Sequence, residues 1–257
     1  LFFLEGSEVF NVMPRDDFSA LYRIALNEDY ATTSRRVYLN DFVPVPVSLL
    51  NTRRIGGTAN QLSVANGITP ERGQRDIPTD LLGAAKVTGS NGSFRYGALT
   101  AVEDDISWLG RDNLNQPVNI SGDGREFAVA RLSYQLPGAA KKSVGYMGTY
   151  TSGALYDAEI HSLDAHYTSS DGRLIADGQL VMSDRDEVTG YGALFDVLYV
   201  SRPNLRHKFE LDFMDDQIDF NDLGFLRRND YVKGRYVMLY NKQKFSAKLT
   251  NFRSALS

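Results

Sequence analysis

The sequence predicts an all-β fold, an antiparallel up-and-down meander of the transmembrane β-barrel type. Three observations predict it: a two-residue hydrophobic rhythm running through three consecutive segments from Arg173 to Phe213, turn signals spaced at strand length, and connections that alternate in length. In the first segment Leu174, Ala176, Gly178, Leu180 and Met182 share one face, against Arg173, Asp177 and Gln179 on the other. The second sets Tyr191, Ala193, Phe195, Val197 and Tyr199 opposite Asp196, and the third sets Phe209, Leu211 and Phe213 opposite Arg206, Lys208, Glu210 and Asp212. Successive strand residues point to opposite faces, so each segment has one oily and one wet surface. The wet face is too charged for the core of a soluble sandwich, which favours lipid outside and water inside.

Taken in order, the first 80 residues are irregular, because Pro14, Pro44, Pro46, Pro70 and Pro78 interrupt short apolar pieces. They are expected to form a plug, a rim or first strands. Residues 81–257 are expected to be the antiparallel strands of the barrel, at 82–89, 94–102, 125–135, 143–151, 158–168, 173–182, 191–201, 205–214, 231–241 and 245–254. Asn91-Gly92 and Asp171-Gly172 mark tight hairpins, since Asn-Gly and Asp-Gly tolerate the positive φ such turns require. Residues 103–124, 183–190 and 215–230 are expected to be longer connections at the opposite end. That asymmetry is the one outer-membrane barrels show. The last strand has no obvious closing partner, so the barrel is expected to be an incomplete portion.

Composition agrees. The 257 residues contain 23% charged side chains, 14 Tyr, 14 Phe and 1 Trp. No stretch approaches the ~20 apolar residues of a spanning helix, whereas a barrel strand needs only ~10. The absence of cysteine removes disulfides, thiolate nucleophiles and Cys-ligated zinc. A net charge of −4 with dispersed bases argues against a nucleic-acid partner. Leu1-Phe2-Phe3-Leu4 runs directly into Glu5 without the basic and long apolar regions of a signal peptide, so the chain is expected to begin as a mature product or inside a longer protein.

The candidate functional residues are the polar ones on the inferred wet face: Arg131, Asp164, Asp177, Asp196, Lys208, Glu210, Asp212, Lys233 and Arg235. Two carboxylates at the correct spacing can serve a glycosidase as acid and nucleophile. A water-filled lumen also requires charge, without catalysis, and that reading is favoured, with Arg173 and Arg206 among the balancing bases. His161 and His166 lie five apart, on opposite faces of a strand, and with His207 read as rim or lumen polar residues. Asp219 to Gly224 begins like a calcium loop but places Leu223 where an oxygen ligand is needed, leaving Asp215, Asp216, Asp219 and Asp222 as solvated loop charge. The doublets Arg53-Arg54 and Arg227-Arg228 are too short for a basic patch and are expected to pair with lumen or plug carboxylates. No metal and no cofactor is expected.

Four blocks occur in order: Phe2 to Phe10, including Glu5; Thr52-Arg53-Arg54-Ile55-Gly56; Gly83 to Gly89, including Lys86; and Asn221-Asp222-Leu223-Gly224-Phe225-Leu226-Arg227-Arg228-Asn229-Asp230. Together they resemble a bacterial family of unknown function whose members carry an N-terminal family-9-like carbohydrate-binding domain followed by a predicted outer-membrane barrel. The resemblance implies part of the barrel region, in a Gram-negative outer membrane, with the lipid bilayer as partner. Its implied role is passage or surface binding of a small solute, a saccharide being favoured only by the attached domain. Three rival readings are a hydrolase working through the lumenal carboxylates, a structural anchor for other envelope proteins, and a soluble β-sandwich binding module.

Overall fold

A computed structural model describes residues 7–12, 47–58, 62–243 and 251–256. The strands in chain order are β1 (Val47–Ser48), β2 (Thr69–Pro70), β3 (Leu81–Asn91), β4 (Phe94–Glu103), β5 (Ile106–Arg111), β6 (Pro117–Gly122), β7 (Glu126–Leu136), β8 (Lys141–Ser152), β9 (Ala158–Thr168), β10 (Leu174–Arg185), β11 (Val188–Arg202), β12 (Leu205–Met214), β13 (Phe225–Leu226), β14 (Tyr231–Gln243) and β15 (Asn251–Leu256). Ten of them form one antiparallel meander in the order β3-β4-β7-β8-β9-β10-β11-β12-β14-β15. Among the described residues its edges, β3 and β15, do not pair with each other, so the sheet is open.

The expected strand positions hold through the meander, and two connections differ. Residues 103–124 are not a bare loop. They contain β5 and β6, which with β2 make a separate three-stranded sheet around buried Ile106, Trp108 and Ile120. Residues 183–190 are not a longer connection either, because β10 and β11 meet at a two-residue turn. Asp186 and Glu187 there take φ of 53° and 64°, the pair of positive values a hairpin turn matched to strand twist requires. The final strand is displaced to Asn251–Leu256.

Register sets the two faces. One outward row runs Leu132-Tyr146-Leu163-Leu180-Ala193-Phe213-Val232 across seven adjacent strands. Leu132, Leu163, Leu180 and Val232 in that row are each more than half exposed. The inner face carries the core. Toward the end with the long connections, Leu99, Phe127, Met147, Ile160, Val181, Leu194 and Met214 are buried. They form one cluster with Phe10, Val12, Leu49 and Ile55 from the N-terminal segments and with Ile218, Phe220, Leu223 and Leu226 from the β12–β14 connection.

Two contacts show how closely those segments are fitted. Phe10 lies over Gly97, where an added Cβ would come within 2.9 Å of the ring. Gly190 meets the backbone of Ile218, leaving no room there for a side chain. The segments are also joined to each other: β1 pairs with β13, and the Asn51 amide donates to the Leu223 carbonyl at 2.7 Å.

Candidate functional site

The inner face changes character toward the tight-turn end. One residue per strand, the row Ser143-His166-Asp177-Asp196-Glu210-Arg235 crosses six adjacent strands. The neighbouring row is Gly145-Asp164-Gln179-Leu194-Asp212-Lys233. A third, one step nearer the long connections, is Arg131-Met147-Ser162-Val181-Gly192-Met214-Tyr231 and is already mostly apolar. All nine polar candidates lie on this face, concentrated in two rows.

Their charges are matched locally. Arg131 reaches across β8 to grip Asp164 with both terminal nitrogens, one of them at 3.0 Å. Gly145 makes that reach possible, since a Cβ there would stand 2.8 Å from the guanidinium carbon. His166 bridges two carboxylates, with Nε2 2.9 Å from Asp164 and Nδ1 2.8 Å from Asp177. Farther along, Glu210 is held by Lys208 at 2.5 Å and by Arg235. Glu210 and Asp212 are almost wholly buried, at 2% and 1% exposure. A glycosidase pair needs one carboxylic acid free to give up a proton and one carboxylate free to attack. Asp164 and Glu210 are instead committed to cations. The arrangement suits a fixed polar lining with balanced charge better than proton transfer.

A second cluster ties the long connections together. The Arg185 guanidinium lies over the Tyr156 ring at 4.2 Å, donates to the Tyr156 hydroxyl and pairs with Asp219. Tyr156 in turn donates to Asp222 at 2.9 Å. Burial, and next the Asp222 charge, push the Tyr156 hydroxyl above its ordinary pKa. Asp215 accepts the amides of Ile218 at 2.7 Å and Tyr191 at 2.7 Å. Asp215, Asp219 and Asp222 are therefore loop fasteners rather than solvated charge, while Asp216 is exposed. Among the described residues no group of acids is arranged to hold a metal ion.

The third feature is a latch. Glu103 and Arg125 form a buried two-pronged ion pair, with Nε–Oε2 at 2.7 Å and Nη2–Oε1 at 2.8 Å. The Gly56 amide donates to the same Glu103 oxygen at 2.8 Å, and Arg125 donates to the Arg54 carbonyl at 3.1 Å. The pair fixes the 52–56 turn against the wall.

The sequence matches the family described as a domain of unknown function (DUF5916) over residues 47–257. The chain belongs to that family. No curated protein sequence matches it. A solved structure of an OmpT mutant lacking loop L8, an outer membrane protein of Vibrio cholerae, is similar at 16% identity with a TM-score of 0.37. The match covers 69% of this chain and 59% of that one, so the chain spans under two thirds of that protein's length.

The residues of the four ordered sequence blocks now have places. Asn221 accepts the Leu226 amide at 2.8 Å and donates to Asp219 at 2.9 Å, while Leu223 is fully buried. The stretch is a packed return into the interior, which explains its failure as a calcium loop. Lys86 lies on the inner face of β3 opposite Leu99. Arg53, Arg227 and Arg228 are exposed, and among the described residues neither doublet makes an ion pair; the Arg54 backbone carbonyl, not its guanidinium, is the anchor. Glu5 lies outside the described residues.

Other placements correct the sequence reading. His161 and His207 are not lumen residues but sit on the outer face among tyrosines, His207 beside Tyr199 at the tight-turn border. His161 Nδ1 is 2.7 Å from Tyr146 Oη, and His207 Nδ1 is 2.7 Å from Tyr236 Oη. Arg206 keeps the face of Lys208 and Glu210 on β12 as expected, exposed at the tight-turn end, where Arg173 donates to the carbonyls of Val200 and Ser201. Glu103, Arg125, Tyr156 and Arg185 escaped sequence reasoning, as did the two carboxylate partners of His166. Their partners are fixed by register and by folded-in loops, not by spacing.

Proposed function

We propose that the chain forms part of the wall of an outer-membrane β-barrel that restricts the passage of a small polar solute. The outer face carries the membrane part of this reading. From Met182 to Leu174 the outward band of β10 runs roughly 27 Å along the strand at ~3.4 Å per residue, or about 20 Å at a barrel tilt of ~40°. It carries no charge, whereas Asp184 stands just beyond Met182 on the same face. Aromatic side chains crowd its tight-turn border, including Phe94, Tyr134, Tyr167, Tyr199 and Tyr236. That is where amphipathic rings meet head groups. In water such a surface would be an exposed apolar patch far larger than monomers tolerate.

The polar rows supply a charge-balanced lining, much of it buried and ion-paired, and the packed segments at the other end narrow the interior. That packing favours restricted passage or retention over free diffusion. A saccharide as the solute rests on the family resemblance alone.

Because the chain has no cysteine, single cysteines can be placed at will. Leu180→Cys, Phe195→Cys and Leu211→Cys in the full-length chain reconstituted in vesicles should resist a water-soluble maleimide and be reached by a lipid-phase quencher. Gly172→Cys in the turn should react freely. Equal aqueous reactivity at all four sites, in folded protein, would remove the membrane reading and leave the soluble β-sandwich module.

A further inference from the structure

The two ends of the sheet differ in charge. At the tight-turn end the connections and the strand residues flanking them present Arg95, Lys141, Lys142, Arg173, Arg202 and Arg206, all exposed. Asp171 is the acid among the described residues there. Lys242 falls at the same end of β14 by register. At the opposite end acids outnumber bases, with Asp104-Asp105, Asp186-Glu187 and Asp215-Asp216 in its connections and Glu159 and Asp184 on the outer face beside them, against exposed Arg53, Arg227 and Arg228. The basic end is also the one where the aromatic border lies. Lys142 shares an outward row with Tyr167 and Tyr236.

From this placement we infer that the tight-turn rim is a binding collar for anionic phospholipid head groups, so that the barrel sits with that rim in the leaflet that carries them. The inference rests on the membrane reading above. The physical case is charge complementarity at a fixed height. An amphipathic ring marks the level of the head groups, and cations within a Debye length of an anionic surface are attracted to it. Tyr199 and Arg173 give one local example: the guanidinium carbon lies 5.9 Å from the ring centroid while its nitrogens bind the Val200 and Ser201 carbonyls. Arg173 is thus held at the rim and does not sweep free. Phosphate esters suit such a collar because guanidinium and ammonium groups both donate to their oxygens. The acidic end, by the same logic, repels the same head groups and fixes the orientation.

The test compares spin-labelled phosphatidylglycerol with spin-labelled phosphatidylcholine on the full-length chain reconstituted in phosphatidylcholine vesicles. Each rim base contributes roughly 5-fold near an anionic surface at low salt. The wild type should therefore select phosphatidylglycerol severalfold, and K141E/K142E/R202E should abolish that selection. E159Q/D184N at the other end should keep it. Salt of about 1 M, with a screening length of ~3 Å, should erase it in the wild type. Motional restriction of neither lipid would sink the membrane reading itself. Restriction of both without preference would overturn the collar alone, as would a preference that survives the triple substitution or high salt. Should the triple variant fail to fold, R202E alone and the wild-type salt titration decide the matter by the same criteria.

Discussion

The inner face divides into two halves built on the same strands. Toward the long connections, β7, β9 and β11 contribute Val129, Ile160 and Leu194 to a core closed by Phe220 and Leu223. A few residues away the same strands contribute Ser133, Asp164 and Asp196 to the polar side. Strand periodicity determines only which face a side chain takes. What it meets there depends on height along the strand, and on whether a folded-in apolar segment or a network of paired charges occupies that level. The apolar half behaves as a protein interior, where a lost atom is a lost contact. The charged half behaves as a lined surface, where pairs such as Arg131–Asp164 cancel charge and order side chains. Stability should therefore concentrate in the first half and ion selectivity in the second.

The largest effect is expected at the latch, which lies on the stability side despite its charge. Glu103→Ala strands a buried Arg125 and frees the Gly56 amide, and should cost about 3–5 kcal/mol in denaturant unfolding from detergent. Replacing both partners, as Glu103→Leu with Arg125→Met, should recover most of that loss. A double variant no more stable than the single would mean that the pair's charges, not their pairing, organise the turn. Next in size is Phe220→Ala, which empties a fully buried ring site and should cost ~3–4 kcal/mol. It should also raise single-channel conductance by loosening the returned loop. A large stability loss with unchanged conductance would separate packing from closure and break the division proposed here.

Much of this fold was legible because each signal was local. Ten strands followed from period two and from turn residues such as Gly92 and Gly172, and the charged face followed from the same parity. The Asp186–Glu187 turn was illegible because it uses two acids where glycine or asparagine is the usual mark of positive φ. The β5–β6 hairpin hid in the stretch read as a loop, although Ile106 and Trp108 alternate correctly; its own small core lies apart from the main sheet. The Glu103–Arg125 pair joins residues on either side of that insertion, so only the β4–β7 register brings them together. Nothing in the spacing of Tyr156, Arg185 and Asp222 announces a shared cluster, because the β8–β9 connection, the end of β10 and the β12–β14 connection deliver them.

On the charged side the effects should be smaller and of another kind. Asp164→Asn keeps the shape while removing the charge that Arg131 and His166 both contact, and about 1.5–3 kcal/mol is expected. The clearer readout is reversal potential, which should move toward anion preference as a carboxylate leaves the lining.

Lys208→Met should have the smallest stability effect, and it is the sharpest test of the division. Glu210 keeps Arg235 when Lys208 is lost, so its charge stays paired, and the Lys208 side chain is about one-fifth exposed and gives up little on leaving. The loss should stay under about 1 kcal/mol, the range of partly exposed ion pairs. Selectivity should shift toward cations by the removal of one positive charge beside Asp196 and Glu210. The opposite signs of the two selectivity changes matter more than their sizes, because a general loosening of the wall would move both variants in the same direction. A destabilisation by Lys208→Met as large as that of Phe220→Ala would mean that the charged rows carry the fold as the apolar core does. The two halves would then be one structural unit with two compositions, and the polar rows would lose their claim to be a lining.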